Sequence, residues 1–234
     1  MFPVAILAGG QATRLRPLTN DIPKSMLTFD GRPFIDYQLQ LLSRQGVTRV
    51  VLCTGHIEDP LRAFVERHSP PGMHVQFSTD GPSPLGTGGA LLHALPLLGS
   101  DFFVMYGDAY VTCEFRRVQA AYATQVKPAL MTVATVDVAR SRQVANVSFI
   151  DRQLIEYNKR NPSPAMTHFE YGLNIFSDEV FVGWPAAFDL SDLHHQLSLA
   201  GELASLEITD PVYEIGSFEG IEEFRKLTAL PIRP

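Results

Sequence analysis

Short apolar runs alternate with helical patterns through the first hundred residues, and this alternation restricts the fold more than any other feature. Strand-like runs occupy residues 3–8, 49–54, 74–78 and 101–106, and helical patterns occupy residues 33–45, 61–68 and 86–95. This order predicts an open, mainly parallel sheet with helices on both faces and right-handed crossovers. In such a Rossmann-like α/β fold, ligands bind beyond the carboxyl ends of the strands.

The second half of the chain has a different order of predicted elements. Strand candidates at residues 129–136, 146–150, 154–157 and 171–176 follow one another without helices between them, which indicates antiparallel additions to the sheet. Helical patterns return at residues 189–200 and 218–227. Because no repeat or long linker separates the halves, we predict one domain over residues 1–234. Residues 1–127 then form one half of a cleft, and residues 128–234 complete it.

Composition excludes several classes of function. The chain has 234 residues, 45% of them hydrophobic, which suits one domain with a sizeable core. Its formal charge of −6 disfavours a nucleic-acid or anionic-membrane surface. The two cysteines form no metal or disulfide pattern, and no apolar run reaches the roughly 18 residues of a membrane span. We therefore expect a cytoplasmic protein that binds neither nucleic acid nor membrane. The oligomeric state stays open, with a homo-oligomer among the alternatives.

Histidines give no sign of a site. The seven histidines show no metal-ligand spacing, and the pair His194-His195 falls in a helical pattern that we expect at the surface.

Cations follow the first strand at close spacing. The strand runs into Gly9 and Gly10, which permit a sharp turn with bare backbone N–H groups. Arg14, Arg16 and Lys24 come next, in a chain that is acidic overall. This combination predicts an anionic ligand at the end of the first strand.

Four stretches bear chemistry: LAGGQATRLRPLT with Pro23-Lys24, PLGTGGA at 84–90, YGDA at 106–109 and YEIGS at 213–217. Together they resemble the sugar nucleotidylyltransferases, also called nucleotide-sugar pyrophosphorylases, over nearly the whole chain. The family signature is a glycine pair, then Thr-Arg, then Pro-Lys. Its residues here are Gly9, Gly10, Thr13, Arg14, Pro23 and Lys24. Ala12 departs from the glycine that many members carry.

The resemblance implies a reaction between a nucleoside triphosphate and a sugar 1-phosphate that releases pyrophosphate. The task of such a site is positioning and charge neutralisation. Carried over onto this sequence, the catalytic residues are Arg14, Lys24 and Asp108. The implied nucleotide-binding residues are Leu7, Ala8, Gly9, Gly10, Thr13, Arg14, Gly86, Thr87 and Gly88. We add Asp80 to them because it stands a few residues before the glycines at 86–89.

The family also implies a metal and a sugar site. Asp108 and Glu214 are the expected ligands of Mg²⁺, with Glu214 standing where an aspartate is common. Lys24, Asn158, Lys159 and Gly172 are the expected sugar-phosphate residues, and the family usually has a carboxylate where this chain has Asn158. The second half is thus expected to form an antiparallel sugar-binding lobe.

Simpler structural roles remain open for several of these residues. The glycine run at 86–89 could be a packing device, Asp108 a helix cap, Asp80-Gly81 a turn, and Gly172 the start of a strand.

The function that the sequence favours is transfer of a nucleotidyl group from GTP to a sugar 1-phosphate such as a heptose 1-phosphate. The GTP preference rests on Asp80, whose carboxylate could accept two hydrogen bonds from guanine. One alternative is a cytidylyl- or uridylyltransferase acting on another sugar phosphate, and another is a catalytically silent nucleotide-sugar binding subunit. A dinucleotide oxidoreductase is disfavoured because the loop lacks G-x-G-x-x-G order.

Overall fold

The computed structural model describes residues 1–10, 15–16, 18–20, 22–55 and 58–229. Its helices are α1 (Phe34–Arg44), α2 (Asp59–His68), α3 (Gly86–Leu98), α4 (Phe115–Ala123), α5 (Leu190–Leu199) and α6 (Phe218–Thr228). Its strands are β1 (Val4–Leu7), β2 (Thr28–Phe29), β3 (Arg32–Pro33), β4 (Arg49–Thr54), β5 (His74–Thr79), β6 (Asp101–Tyr106), β7 (Ala109–Val111), β8 (Ala129–Thr135), β9 (Val147–Ile150), β10 (Gln153–Tyr157), β11 (His168–Ser177), β12 (Leu203–Glu207) and β13 (Val212–Glu214).

The first half builds a parallel sheet in the order β5-β4-β1-β6, as the alternating pattern predicts. Strands β4 and β6 have the predicted bounds, whereas β11 is longer than its apolar core suggested. Parallel strands buried on both faces need apolar side chains throughout, which is why these runs were recognisable. Helix α4 and strands β2, β3, β7, β12 and β13 were not predicted.

The second half extends this sheet with antiparallel strands. Strand β11 pairs antiparallel with β6 and with β8, and β9 and β10 continue the sheet from the other end of β11. The register of β11 against β8 shifts between Glu170 and Asn174, and Gly172 lies in this shift with a φ of 106°. The shift lies where β11 passes the carboxyl end of β6, and irregularities of this kind commonly bend a strand.

Two apolar clusters cover the two faces of the sheet. One includes Ile35 and Leu39 of α1 and Phe115 of α4, and the other includes Leu91 of α3 and Leu193 of α5. The predicted α/β fold with helices on both faces is therefore confirmed. No helix in the described part of the chain is long and apolar enough to cross a membrane.

Candidate functional site

Two adjoining cavities open at the carboxyl rim of the parallel sheet. The first, of about 330 Å³, lies against the ends of β1 and β6 and the start of α3. The second, of about 520 Å³, lies against β11, β13 and the loop that contains Arg142. Lys24, Tyr106 and Asp108 line both cavities. A pair of molecules, one in each cavity, would therefore meet at these three side chains.

An ion pair stands at this junction. Lys24 begins a short 3-10 turn after Pro23, and its Nζ lies 2.6 Å from Asp108 Oδ2. Asp108 follows the buried strand β6 and precedes β7, so its backbone is fixed at the strand end. The side chains of Lys24 and Asp108 are 21% and 32% exposed, so the pair is accessible from the cavities. The two predicted catalytic residues thus lie together, and their catalytic role stays a prediction.

Glu214 reaches the same place through strand pairing. Strand β13 is antiparallel to β7, with Glu214 opposite Ala109, and Ile215 N donates to Asp108 O at 2.9 Å. A Cβ on Gly216 would lie 2.8 Å from Asp108 Oδ2 and 2.9 Å from Glu214 Oε2, so these two oxygens are at most about 5.7 Å apart. Two residues about a hundred positions apart are therefore neighbours in space.

The Glu214 carboxylate also interacts with the start of α6. It accepts hydrogen bonds from Gly216 N and from the Ser217 hydroxyl, at the N-terminal end of α6, where negative charge is favoured. Its orientation is therefore fixed before any ligand binds.

The donor chemistry at this point suits a hard divalent cation. Mg²⁺ usually takes one or two carboxylates and completes its octahedral shell with water and substrate phosphates. Asp108 and Glu214 supply two carboxylates within reach of one ion. Among the described residues no group of three or more His, Cys, Asp or Glu side chains could hold a metal. Asp108 and Glu214 thus fit an ion that is shared with phosphates better than one held by protein alone.

The tip of β1 lines the first cavity with four of the predicted nucleotide residues, Leu7, Ala8, Gly9 and Gly10. Neither glycine has a positive φ, so the sharp turn inferred from the sequence is not what requires them. A Cβ on Gly9 would come within 3.1 Å of Gly55 N, whereas Gly10 has open space around it. Thr13 and Arg14 lie outside the described residues.

The glycine run at the start of α3 makes close protein contacts. A Cβ on Gly88 would lie 2.2 Å from the Phe188 ring, and one on Gly89 would lie 2.4 Å from Ala186 O. The N–H groups of Gly88 and Gly89 both lie within hydrogen-bond distance of Phe188 O. Gly88 does not line the first cavity, although Gly86 and Thr87 do. Packing thus accounts for Gly88, the simpler of the two roles considered.

Asp80 lines the first cavity, and one of its oxygens already has a partner. Asp80 Oδ2 accepts from Leu85 N at 3.1 Å and so stabilises the segment before α3. The backbone N–H of Asp80 donates to Thr54 O at 2.9 Å, which fixes the residue beside the end of β4. Asp80 therefore acts in the local fold and also faces the cavity.

The predicted sugar residues divide into two groups. Lys159 and Gly172 line the second cavity together with Lys24. Asn158 does not line it: its Nδ2 donates to Glu156 at 3.1 Å and its Oδ1 accepts from Asn161 N at 2.9 Å. The amide thus stabilises its own loop, where a polar side chain commonly substitutes for backbone hydrogen bonds.

Glu170, which the sequence reasoning missed, lines the second cavity beside Tyr106. Glu170 accepts from Tyr106 OH at 2.8 Å and from Asn174 Nδ2 at 2.6 Å, and Tyr157 OH lies 3.3 Å away. Burial, together with the charge of Glu170, raises the pKa of the Tyr106 phenol well above its usual value. Tyr106 adjoins Gly107-Asp108 in the sequence, and that position was the available signal. Arg142, in the loop before β9, was also missed.

His194 contradicts its predicted surface position. Its side chain is fully buried on α5, with Nδ1 3.9 Å from Glu170 Oε2, and its ring stacks on Phe176. Neither ring nitrogen has a hydrogen-bond partner within the described ranges. Burial lowers the pKa of His194, so the neutral ring is favoured. A run of two adjacent histidines gave no indication that only one of them faces solvent.

Sequence comparisons agree with this geometry. A profile of the family described as nucleotidyl transferase matches residues 4–194. Mannose-1-phosphate guanyltransferase of Aspergillus fumigatus is 34% identical over 136 residues, which are 56% of this chain and 37% of that protein. D-glycero-alpha-D-manno-heptose 1-phosphate guanylyltransferase of Campylobacter jejuni is 28% identical over 114 residues, 49% of this chain and 51% of that protein. The match thus spans about half or less of each of these relatives.

Solved structures agree with the fold. HddC from Yersinia pseudotuberculosis, crystallised with GMP-PN, has a TM-score of 0.78 at 24% identity, covering 97% of this chain and 99% of that one. The inositol-1-phosphate CTP transferase from T. maritima has a TM-score of 0.80 at 20% identity, covering 98% and 95%. At such identities the likeness concerns the fold.

Proposed function

The chain belongs to the nucleotidyl transferase family, and on that premise we propose that it transfers a nucleotidyl group from GTP to a sugar 1-phosphate such as a heptose 1-phosphate. The products are a nucleoside diphosphate sugar and pyrophosphate. The observation that carries this proposal is the pair of adjoining cavities that share Lys24, Tyr106 and Asp108. Two polyanionic substrates, one in each cavity, would bring their phosphates to the same lysine and the same carboxylate.

The first cavity suits the nucleotide. Backbone of Gly9 and Gly10 lies open at the tip of β1, and Gly10 has no neighbouring heavy atom within 4 Å of a Cβ position. Bare backbone there would let N–H groups approach phosphates closely. Thr13 and Arg14 follow in the sequence, and we assign Arg14 to the pyrophosphate that leaves.

The second cavity suits the sugar phosphate. Lys159 and Arg142 line it with Lys24, and cations are needed where a phosphate enters a chain of net charge −6. Tyr171 and Gly172 of β11 and Glu170 below them offer polar and backbone groups to a sugar. The phosphate end would then face Lys24 and the hydroxyl groups would face β11.

The reaction requires the protein to position the two substrates and to supply positive charge at their phosphates. A phosphate oxygen of the sugar 1-phosphate attacks the α-phosphorus of the triphosphate. A new bond forms between these two atoms, and the bond from the α-phosphorus to the pyrophosphate oxygen breaks. Lys24, now paired with Asp108, is free to move to the reacting phosphates when they enter. Cationic side chains at these oxygens stabilise the charge that spreads over them in the transition state.

Asp108 and Glu214 would hold Mg²⁺ in the complex, since nucleotidyl transferases of this kind generally use a divalent metal. When bound, the ion offsets the repulsion between the two substrates' phosphates. The support for Asp108 and Glu214 is the separation of at most about 5.7 Å between their nearest carboxylate oxygens.

The preference for GTP has two supports. Both relatives described above are guanylyltransferases by name. Asp80 also faces the first cavity, and within the described residues a backbone N–H donates to its Oδ2 alone. Its remaining acceptor capacity suits guanine, which presents two adjacent N–H donors, better than uracil or cytosine.

The test is an assay of pyrophosphate release with Mg²⁺, each of four nucleoside triphosphates and a panel of sugar 1-phosphates. We expect release with GTP and a manno-configured or heptose 1-phosphate. Pyrophosphate release with CTP or UTP alone would refute the GTP preference and favour the cytidylyl- or uridylyltransferase alternative. Binding of a nucleotide sugar by calorimetry without release from any pair would indicate a silent binding subunit and refute the enzymatic proposal.

A further inference from the structure

Gln38 is a polar side chain in an apolar setting. It lies in α1 and is fully buried, and its helix neighbours Ile35, Leu39 and Leu42 belong to the apolar core. Burial of an amide costs free energy unless its groups find hydrogen bonds. Gln38 lines neither of the two cavities, so contact with a substrate does not explain it.

The amide of Gln38 holds the turn that carries Asp108. Gln38 Nε2 donates to Tyr106 O at 3.0 Å and to Ala109 O at 2.8 Å. These two carbonyls flank Gly107-Asp108, so a single side-chain amide spans the turn. Gln38 Oε1 has no partner within the described part of the chain. An unpaired buried acceptor carries an uncompensated desolvation cost, so stability alone is a poor reason for a glutamine here.

Two backbone hydrogen bonds hold the same turn from other sides. Gly107 N donates to Leu7 O at 3.0 Å, and Ile215 N donates to Asp108 O at 2.9 Å. The Asp108 backbone is thereby fixed to β1, to β13 and, through Gln38, to α1. Gln38 is the side-chain member of this set and can be changed by substitution.

We infer that Gln38 is a positioning residue for Asp108. It fixes the position from which the carboxylate meets Lys24 and Glu214, without touching a substrate. The inference deepens the proposed function and rests on it for the effect on turnover. Loss of the clamp would shift Asp108, and a displacement of about 1 Å can lower turnover about a hundredfold.

Gln45 is the control, at the C-terminal cap of α1. It is a half-buried glutamine with two hydrogen bonds to a connecting segment, donating to Cys113 O at 3.2 Å and accepting from Phe115 N at 3.1 Å. That segment follows β7 and lines neither cavity. Gln45→Met therefore removes an equivalent clamp away from Asp108.

The experiment compares Gln38→Met, Gln38→Asn and Gln45→Met by steady-state kinetics and by hydrogen–deuterium exchange. Gln38→Met keeps the volume and removes the donors, whereas Gln38→Asn keeps an amide that is one methylene too short. We expect either Gln38 variant to lower kcat about 10- to 100-fold, with KM for the triphosphate within about threefold. Amides at 107–109 should exchange faster. Gln45→Met should keep its kcat and exchange faster at 113–115 only.

Two results would overturn the inference: a kcat in both Gln38 variants equal to that of Gln45→Met, or a lower kcat without faster exchange at 107–109. If Gln38→Met does not fold, the kcat and the hydrogen–deuterium exchange of Gln38→Asn alone decide whether the inference holds. If the unaltered protein releases no pyrophosphate with any pair, the proposed function fails separately. The exchange data then decide whether Gln38 holds the Asp108 turn, and unchanged exchange at 107–109 would refute it.

Discussion

Asp108→Asn separates charge from shape at the junction of the two cavities. The substitution keeps the side-chain outline and one acceptor oxygen, and it removes the negative charge that pairs with Lys24 at 2.6 Å. Because both side chains are between a fifth and a third exposed, solvent screens the pair. Pairs of this kind contribute about 0.2–1 kcal/mol to the free energy of unfolding.

This small contribution fixes the expected thermal effect. For a chain of 150–250 residues, 1 kcal/mol corresponds to a Tm shift of about 2–4 °C. Asp108→Asn should therefore lower the Tm by no more than about 4 °C. Turnover should fall about 10²-fold or more, because loss of one preorganised electrostatic contact typically costs about 3 kcal/mol of transition-state stabilisation.

Asp192→Asn provides the matched control. Asp192 pairs with Arg160 at 2.5 Å, its side chain is 34% exposed, and it lines neither cavity. Pyrophosphate release and thermal denaturation of both variants are the measurements. If Asp108→Asn behaved like Asp192→Asn in turnover, or lost turnover only in proportion to a large fall in Tm, Asp108 would be a structural ion-pair partner and the reasoning would be refuted.

Other perturbations test other parts of the site. Glu214→Gln combined with Asp108→Asn should lose less turnover than the product of the single losses, because ligands of one ion act as a unit; multiplicative losses would place the two carboxylates in separate roles. Asp80→Ala should weaken the preference for GTP over UTP in kcat/KM, and an unchanged ratio would leave Asp80 its turn role alone. Gly88→Ala should lower the free energy of unfolding by about 1–3 kcal/mol in urea denaturation, since a Cβ would lie 2.2 Å from the Phe188 ring, whereas Gly81→Ala, with open space around it, should not. The pKa of His194 is lowered in the folded state, so its stabilising contribution is present above about pH 6.5, the unfolded value, and is lost as pH falls below that value. Between pH 7.5 and 5.5 the Tm of His194→Phe should therefore fall less than the Tm of the unaltered protein. Equal dependence of Tm on pH in the two proteins would contradict this expectation.

The family and the α/β fold class could be predicted from the sequence because both depend on local patterns. A strand buried on both faces must be apolar along its length, so β4 and β6 were predicted with correct bounds. Strands β12 and β13 are short and partly exposed, and each is defined by its pairing with a distant strand. Pairing over such distances leaves little local signal.

The candidate site was predicted in part for a related reason. Lys24, Asp108 and Glu214 stand in recognisable motifs. The pairing of β13 with β7 brings Glu214 beside Asp108, and Lys24 joins them through its ion pair with Asp108. Tyr106 stands at the start of the YGDA motif, but its hydrogen bond to Glu170 depends on a distant strand. Glu170 and Gln38 also depend on contacts between elements far apart in the chain, and no short motif marks these two. Asn158 was assigned by position in a motif, yet its amide bonds within its own loop. A motif identifies a position, whereas the side chain's direction depends on its neighbours.

The start of α3 shows how one glycine run can serve two purposes at once. Gly88 and Gly89 lack side chains because the segment before α5 passes too close, and Thr87 Oγ1 accepts from Leu190 N at 2.8 Å. The face of α3 that lines the first cavity is thereby fixed to α5, and α5 carries His194 beside Glu170 under the second cavity. Gly86 of the same run lines the first cavity, so the run both borders that cavity and leaves room for the segment before α5.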